Sequence, residues 1–248
     1  MAVLHLLGTG AAFSDARRTT TMLAFQAPGS VVVVDCGADV VQRLLAAGID
    51  LDDVQALIVT HEHADHAAGF PLFMERIWLA GRRRPIDVYG IARALAQARR
   101  CWEVFETGGW EGVPEIRWHE VPLAEGALVL EDERWRITAA PGIHGVPVIG
   151  LRVEDRVDGG CAAYSCDTEP ADAIERLSHG ADLLVHEATG DSKGHTSNED
   201  AARVAMRAGA ERLVLVHLPP DVNDDDLADA RRIFPDVQFG EDGARHDF

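Results

Sequence analysis

Residues 59–69 read VTHEHADHAAG and follow directly on the apolar segment VQALIV, so three histidines and one aspartate stand within six positions after a predicted strand. Burying such groups unpaired is costly, whereas bonds to a metal ion make their burial favourable. His61 and His63 are two residues apart, so in an extended segment they project to the same side and can bind one ion. Asp65 and His66 follow as the chain turns and can bind a second ion. The run therefore predicts a metal site at the end of a strand.

Two divalent ions need more ligands than these four, and other predicted strand ends can supply them. His144 follows the strand WRITAA, Asp167 ends the strand CAAYSCD, and His217 lies near the end of RLVLVHL. Each residue alone is weak support, because histidine and aspartate are common in turns. Their joint occurrence after apolar strands, like the cluster itself, favours a single site built from several strand ends.

Short runs rich in valine, isoleucine and leucine alternate along the chain with helical patterns. The predicted strands are 3–8, 20–26, 30–37, 54–60, 85–90, 115–121, 127–131, 135–142, 148–155, 161–167, 181–188 and 212–218. The predicted helices are 39–48, 69–81, 91–106, 171–180, 197–209 and 224–234. Each half begins with strands and continues as α/β alternation, which favours two packed sheets with helices on their outer faces. No linker interrupts the pattern, so we expect one domain, 1–248.

Charge and cysteine content narrow the class of protein. A formal charge of −18, from 41 acidic and 23 basic residues, argues against broad attraction to a polyanion such as nucleic acid. The four cysteines form no CxxC pair, which indicates reduced hydrophobic side chains rather than a disulfide scaffold. The N-terminus lacks the basic region of a signal peptide and no apolar run has the length of a membrane span, so we expect a cytoplasmic protein without membrane association.

The quoted motifs resemble those of a known superfamily. THEHADH resembles the HxHxDH signature of the metallo-β-lactamase fold superfamily, and VVVVDCG, IHGVP, SCDT and VHL resemble its accompanying motifs in the same order. LLVHEAT and the following GHTS look most like the ribonuclease Z branch. The resemblance extends from residue 6 to His217 and implies a four-layer αββα sandwich, in which two mixed β-sheets pack face to face with helices outside.

The resemblance also implies roles for individual residues. Two Zn²⁺ ions are expected, with Mn²⁺ or Fe²⁺ as alternatives. The implied ligands are His61, His63 and His144 for the first ion, Asp65, His66 and His217 for the second, and Asp167 as the bridge between them. Asp35 would orient a ligand histidine; its alternative is a turn aspartate that closes a strand.

The implied chemistry is hydrolysis of a phosphodiester by a metal-bound hydroxide. Asp65 would accept a proton from the attacking water. His195 in GHTS would protonate the leaving oxygen, and Glu187 in HEAT would hydrogen-bond its imidazole and raise its pKa. The structural alternative is that GHTSNED forms only a loop and an N-cap for the helix 197–209.

The expected substrate is an RNA 3′ end such as a tRNA precursor, or a small phosphodiester. Only 22 residues separate His144 from Asp167, too few for the protruding tRNA-binding arm of many family members, and SDARRTTT does not match the family's PxKxRN loop. The alternatives are another hydrolase on the same scaffold, such as a lactonase, an arylsulfatase-like enzyme or a thioesterase, and a non-enzymatic metal-binding protein. A homodimer is expected from the resemblance alone.

Overall fold

The computed structural model describes all residues, 1–248, and contains fourteen strands in two sheets of seven. In chain order the strands are β1 (Val3–Gly8), β2 (Met22–Ala27), β3 (Ser30–Val34), β4 (Val54–Val59), β5 (Ile86–Gly90), β6 (Ile116–Glu120), β7 (Ala127–Glu131), β8 (Trp135–Pro141), β9 (Ile149–Asp155), β10 (Cys161–Tyr164), β11 (Leu183–Glu187), β12 (Leu213–Val216), β13 (Val237–Phe239) and β14 (Arg245–Asp247). The first sheet has the order β14-β1-β2-β3-β4-β5-β6, and the second has the order β13-β12-β11-β10-β9-β8-β7.

Both sheets are mixed. In the first sheet, β14, β1, β2 and β3 are antiparallel neighbours, and β3 to β6 are parallel. In the second, β7 to β10 are antiparallel and β10 to β13 are parallel. Parallel neighbours end at the same edge of a sheet. The residues after β4 therefore lie at one edge of the first sheet, and those after β10 and β12 lie at one edge of the second. The packing of the sheets brings these two edges together.

Seven helices complete the fold. They are α1 (Val40–Ala46), α2 (Ala64–Ala67), α3 (Phe70–Leu79), α4 (Ala92–Glu103), α5 (Asp172–Leu177), α6 (Asn198–Ala208) and α7 (Ala228–Ile233), and short 3₁₀ helices cover Leu51–Asp53 and Asp224–Leu227. None of them is long and apolar enough to cross a membrane. Helix α6 begins after Ser197, whose hydroxyl accepts from the Asp200 amide, and ends at Gly209 in the left-handed conformation.

The main core lies between the two sheets. The cluster of 51 buried residues to which it belongs includes Phe25 and Val33 of the first sheet and Ile137 and Tyr164 of the second, and it continues to buried residues of α1, α3 and α4. A smaller cluster of 16 buried residues lies under α6 and α7 against the outer face of the second sheet. This is the expected αββα sandwich, so the fold class predicted from the sequence is confirmed.

The structure corrects the predicted elements in three places. Strands β13 and β14 were not predicted, because each has only three residues and lies at a sheet edge with a single neighbour. The predicted helix 224–234 is divided into a 3₁₀ turn, opened by a capping box at Asn223, and the separate helix α7. Within the histidine run itself, residues 64–67 form α2.

Candidate metal centre

The seven side chains predicted as metal ligands converge at one end of the sandwich. His61 and His63 follow β4, and α2 carries Asp65 in its first turn and His66 in its last turn. His144 follows β8, Asp167 follows β10 and His217 follows β12. They form two groups of possible ligand atoms, each group lying within 4.8 Å: His61, His63, His144 and Asp167 in one, and Asp65, His66, Asp167 and His217 in the other. Asp167 belongs to both groups and therefore lies between them.

In the first group, three imidazole nitrogens face one another. His63 Nδ1 lies 3.1 Å from His61 Nε2 and 3.2 Å from His144 Nε2. Asp167 Oδ2 lies 3.9 Å from both of these Nε2 atoms. Nitrogen ligands of a tetrahedral zinc ion stand about 3.3 Å apart, given Zn–N bonds of about 2.0 to 2.1 Å. His63 Nδ1 is thus spaced from the other two nitrogens as ligands of one divalent metal ion are.

Hydrogen bonds on the outer side of these rings decide which nitrogen carries the proton. His144 Nδ1 donates to the carbonyl oxygen of Gly194 at 2.8 Å, and a carbonyl can only accept. His217 Nδ1 lies 2.7 Å from Thr189 Oγ1, whose own hydrogen is donated to the His217 carbonyl. The Nε2 atoms of both rings are therefore unprotonated in the neutral form, and their lone pairs face the centre, as metal ligation requires.

In the second group, two buried polar atoms have no hydrogen-bond partner. They are His66 Nε2 and Asp167 Oδ1, 3.5 Å apart. Asp65 Oδ2 lies 3.4 Å from His66 Nε2 and 3.2 Å from His217 Nε2. Orphaned buried polar atoms are rare in native proteins. A divalent cation between these imidazole nitrogens and carboxylate oxygens would satisfy them, so the residues present fit a second metal ion.

The local charges favour ionised carboxylates. Burial of Asp167 opposes its ionisation, but the charges of His217 and His66 outweigh burial and hold its pKa well below the usual range. Burial also opposes ionisation of Asp65, yet hydrogen bonds with His217 and His66 lower its pKa. In His61, burial lowers the pKa well below the usual value and favours the neutral, metal-binding ring. Burial opposes a charge on His66 as well, but the carboxylates of Asp167 and Asp35 raise its pKa well above the usual value. The centre thus presents anionic oxygens, a neutral ring at His61 and a place for positive charge at His66.

Asp35 lies behind the centre rather than in it. It follows β3 with a φ of 61°, accepts from His66 Nδ1 at 2.8 Å, and accepts from the amide of Thr60 at 2.9 Å. Both interpretations of Asp35 from the sequence therefore describe its position. It closes a strand, and it contacts a predicted ligand histidine. The contact leaves His66 Nε2 facing Asp167.

His195 and Glu187 form a pair beside the metal ligands. Glu187 ends β11 and is fully buried, and its Oε1 lies 3.0 Å from His195 Nδ1. The same carboxylate accepts from the amides of Thr168 and Thr189. The hydrogen bond to Glu187 raises the pKa of His195 despite partial burial, which lowers it. The His195 ring stacks on His217 with centroids 5.6 Å apart, so this imidazole is held against the centre.

Four residues of the site were not recognised in the sequence. Thr60 contacts Asp35 and His61, Cys166 contacts Thr60, Thr189 orients His217, and Gly194 accepts from His144. All four stand within the quoted motifs, Thr60 in THEHADH, Cys166 in SCDT, Thr189 in LLVHEAT and Gly194 in GHTS, but the motifs alone assign no contact to them. Their contacts join positions far apart in the chain, so they become visible only in the folded protein.

The turn 8–10 adjoins this end of the sandwich. Leu218, next to His217, donates its amide to the Thr9 carbonyl and accepts from the Ala11 amide. The loop that follows carries Arg17, which forms an ion pair with Asp15 at 2.8 Å. This arginine is therefore partly neutralised within its own loop.

Comparison with known proteins identifies the family of the chain. The model of the beta-lactamase superfamily domain matches residues 31–218. Ribonuclease Z from Mycobacterium sp. (strain KMS) is 30% identical over 98% of this chain and 94% of its own length. Ribonuclease Z from Methanothermobacter thermautotrophicus is 28% identical over 98% of this chain and 95% of its own length. The crystal structure of the short form of human tRNase Z superposes with a TM-score of 0.81 at 25% identity, covering 100% of this chain and 99% of that one.

Fold and site together define a metal-dependent hydrolase, so the protein is an enzyme. The chain belongs to the metallo-β-lactamase superfamily and, within it, to the ribonuclease Z family. The family resemblance predicted from its motifs is therefore confirmed.

Proposed function

We propose that the chain is a dinuclear zinc-dependent phosphodiesterase that cleaves an RNA 3′ end, as in a tRNA precursor, or a small phosphodiester. The observation that carries this proposal is the pair of His195 and Glu187 placed against the predicted metal ligands. A protonated imidazole at this point suits a reaction whose leaving group needs a proton. The names of the ribonuclease Z relatives support the same class of substrate.

The proposed ligand set follows the two groups of converging atoms. His61, His63 and His144 would hold one ion, Asp65, His66 and His217 the other, and Asp167 would hold both. Imidazole and carboxylate ligands suit zinc, with Mn²⁺ or Fe²⁺ as alternatives. When bound, such a pair of ions supplies an activated water and offsets negative charge on the phosphate.

The residues around the ions would then move two protons. The carboxylate of Asp65 would accept a proton from the attacking water. His195 donates through Nδ1 to Glu187, and in its protonated form it would donate the Nε2 hydrogen to the leaving oxygen. An alkoxide with a pKa well above about 10 leaves slowly without such a donor. A thiol has a far lower pKa, about 8.5. A thiolate therefore leaves without a proton donor, and cleavage of a thioester would not require His195.

The connection between His144 and Asp167 favours a compact substrate or a short RNA end. It consists of β9, a short turn and β10, without a protruding arm. The alignment with the Methanothermobacter relative extends over 298 positions, although this chain has only 248 residues, so that relative carries segments that this chain lacks. The charge of −18 also limits general attraction to a long polyanion.

A side-by-side assay tests the proposal. Zinc-loaded protein, its His195→Ala variant and a His179→Ala control are offered a tRNA precursor, bis(p-nitrophenyl) phosphate, a lactone and a thioester. His179 is exposed and lies outside the site. We expect hydrolysis of the chromogenic phosphodiester by all three proteins, and a loss of about 10²-fold or more for His195→Ala on unactivated esters only. Turnover of the lactone with both phosphodiesters untouched would assign the chain to a different hydrolase class.

A further inference from the structure

A buried polar network connects two of the predicted metal ligands to residues behind them. It contains Asp35, Thr60, His61, His66 and Cys166, none of them more than 1% exposed. Asp35 Oδ2 accepts from His66 Nδ1 and from Thr60 Oγ1, both at 2.8 Å. A hydroxyl has one hydrogen, so Thr60 uses it on Asp35 and keeps its two lone pairs for acceptance. These lone pairs face Cys166 Sγ at 3.0 Å and His61 Nδ1 at 3.2 Å.

The backbone of Cys166 is unusual for a cysteine. Its φ of +53° lies in the left-handed region, which glycine adopts freely and side chains rarely do. Glycine here would relieve the strain but remove the thiol. The thiol donates to Thr60 and lies 3.6 Å from His61 Nδ1, so the strained position places sulfur directly behind a ring that faces the centre. The retained side chain therefore has a polar contact that glycine could not make.

We infer that Thr60 and Cys166 are positioning residues for metal binding, and that Asp35, through Thr60, couples the two halves of the centre. This inference rests on the proposed dinuclear centre. When His61 binds through Nε2, its Nδ1 carries a hydrogen that needs an acceptor in a fully buried place. Thr60 supplies that acceptor and Cys166 fixes Thr60. Asp35 contacts His66 directly and His61 only through Thr60, so one hydroxyl connects ligands of both ions.

Metal titration of paired variants tests the inference. Thr60→Val removes the hydroxyl at nearly constant shape, and Thr60→Ser keeps it. Cys166→Ala removes the thiol hydrogen, Cys166→Ser keeps a donor, and Cys166→Gly removes the side chain while relieving the backbone. Zinc affinity of each site is measured by competition with a chelator, and the environment of His61 by its ¹⁵N-imidazole resonances in zinc-loaded protein. Cys161→Ala, at the first residue of β10 and outside the network, is the matched thiol control.

We expect Thr60→Val to lower the affinity for both ions by roughly ten- to a hundredfold, and Thr60→Ser to keep the affinity of the parent. Cys166→Ala and Cys166→Gly should lower chiefly the affinity for the ion at His61. Cys166→Ser and Cys161→Ala should bind both ions as the parent does. The His61 Nδ1 proton signal should exchange faster with water in the weakened variants.

Two results would overturn the inference while leaving the proposed centre intact. One is unchanged two-site binding in Cys166→Ala and Cys166→Gly. The other is a Cys166→Ser variant as weak as Cys166→Ala, which would make the thiol a space-filling group. A parent protein that binds fewer than two ions would instead contradict the proposed centre itself. If Thr60→Val does not fold, the Cys166 series and the comparison of Thr60→Ser with the parent still decide the question.

Discussion

At the scale of single residues, the protonation state of His195 makes the proposed reaction depend on pH. Its hydrogen bond to Glu187 raises its pKa above the usual value, so the imidazolium persists to higher pH than in a free histidine. A general acid must be protonated before it reacts, so its contribution is present below this pKa and lost as the pH rises through it. Histidine is suited to this task because small changes in its surroundings move its charge across neutral pH.

We therefore predict an alkaline decline in the hydrolysis of unactivated phosphodiesters that follows the pKa of His195. In Glu187→Gln the carboxylate charge is lost, the pKa of His195 falls, and the decline should begin at a lower pH than in the parent. Rates with bis(p-nitrophenyl) phosphate, whose leaving group needs no proton, serve as the internal control. Identical pH profiles for parent and Glu187→Gln on the unactivated ester would remove His195 from the acid role.

At the scale of elements, the sequence determines the strands better than the loops between them. Long apolar runs such as β4 are visible as patterns because burial on both faces demands continuous hydrophobic residues. The same runs pointed to all seven residues that converge, since each follows one of these strands in the chain, although Asp65 and His66 lie on α2. The edge strands β13 and β14 were missed, because three residues carry no detectable period.

The loop between β11 and α6 shows what sequence patterns leave out. It holds His195, and three contacts fix it: Gly194 accepts from His144, the Gly194 amide donates to Glu169, and Thr196 Oγ1 donates to the Thr168 carbonyl. GHTSNED does form a loop and an N-cap, because Ser197 caps α6 two residues after His195. Capping and the proposed acid are thus carried by different residues of one segment.

This loop yields a second prediction. A Cβ added at Gly194 would lie 2.9 Å from His144 Nδ1, and the φ of +87° disfavours any side chain. Gly194→Ala should therefore weaken zinc at His144 and reduce turnover, in addition to a loss of more than about 1 kcal/mol of stability from backbone strain. Gly190→Ala is the control, since Gly190 has a φ of +131° but no atom within 4 Å of the added Cβ.

Chemical denaturation and a zinc titration of the two variants distinguish backbone strain, which both share, from the contact with His144, which only Gly194→Ala creates. Both should lose stability, but only Gly194→Ala should lose zinc affinity. Equal zinc affinity in the two variants would show that the loop does not support His144.

At the scale of the whole molecule, the proposed centre joins the two sheets. The run 61–66 extends from β4 of the first sheet, whereas His144, Asp167 and His217 follow strands of the second. The sheets also share the apolar core between them, so the fold has a source of stability that does not depend on metal. Removing metal should consequently loosen the end of the sandwich that carries the site rather than unfold the chain.

We predict that the metal-free protein is folded but melts at a lower temperature than the loaded protein. Ligand binding to the native state alone adds about 2.7 kcal/mol per site at a free metal concentration of about 100 times Kd, so the melting temperature should rise with free zinc. Asp167→Asn, which replaces the shared carboxylate at similar volume, should abolish most of this dependence because Asp167 belongs to both ligand groups. Melting curves at buffered zinc concentrations measure the effect, and hydrogen exchange locates it: protection gained on zinc binding should concentrate in 61–66, 142–144, 167–169 and 188–196. A melting temperature independent of zinc in the parent would contradict a metal centre that bridges the two sheets.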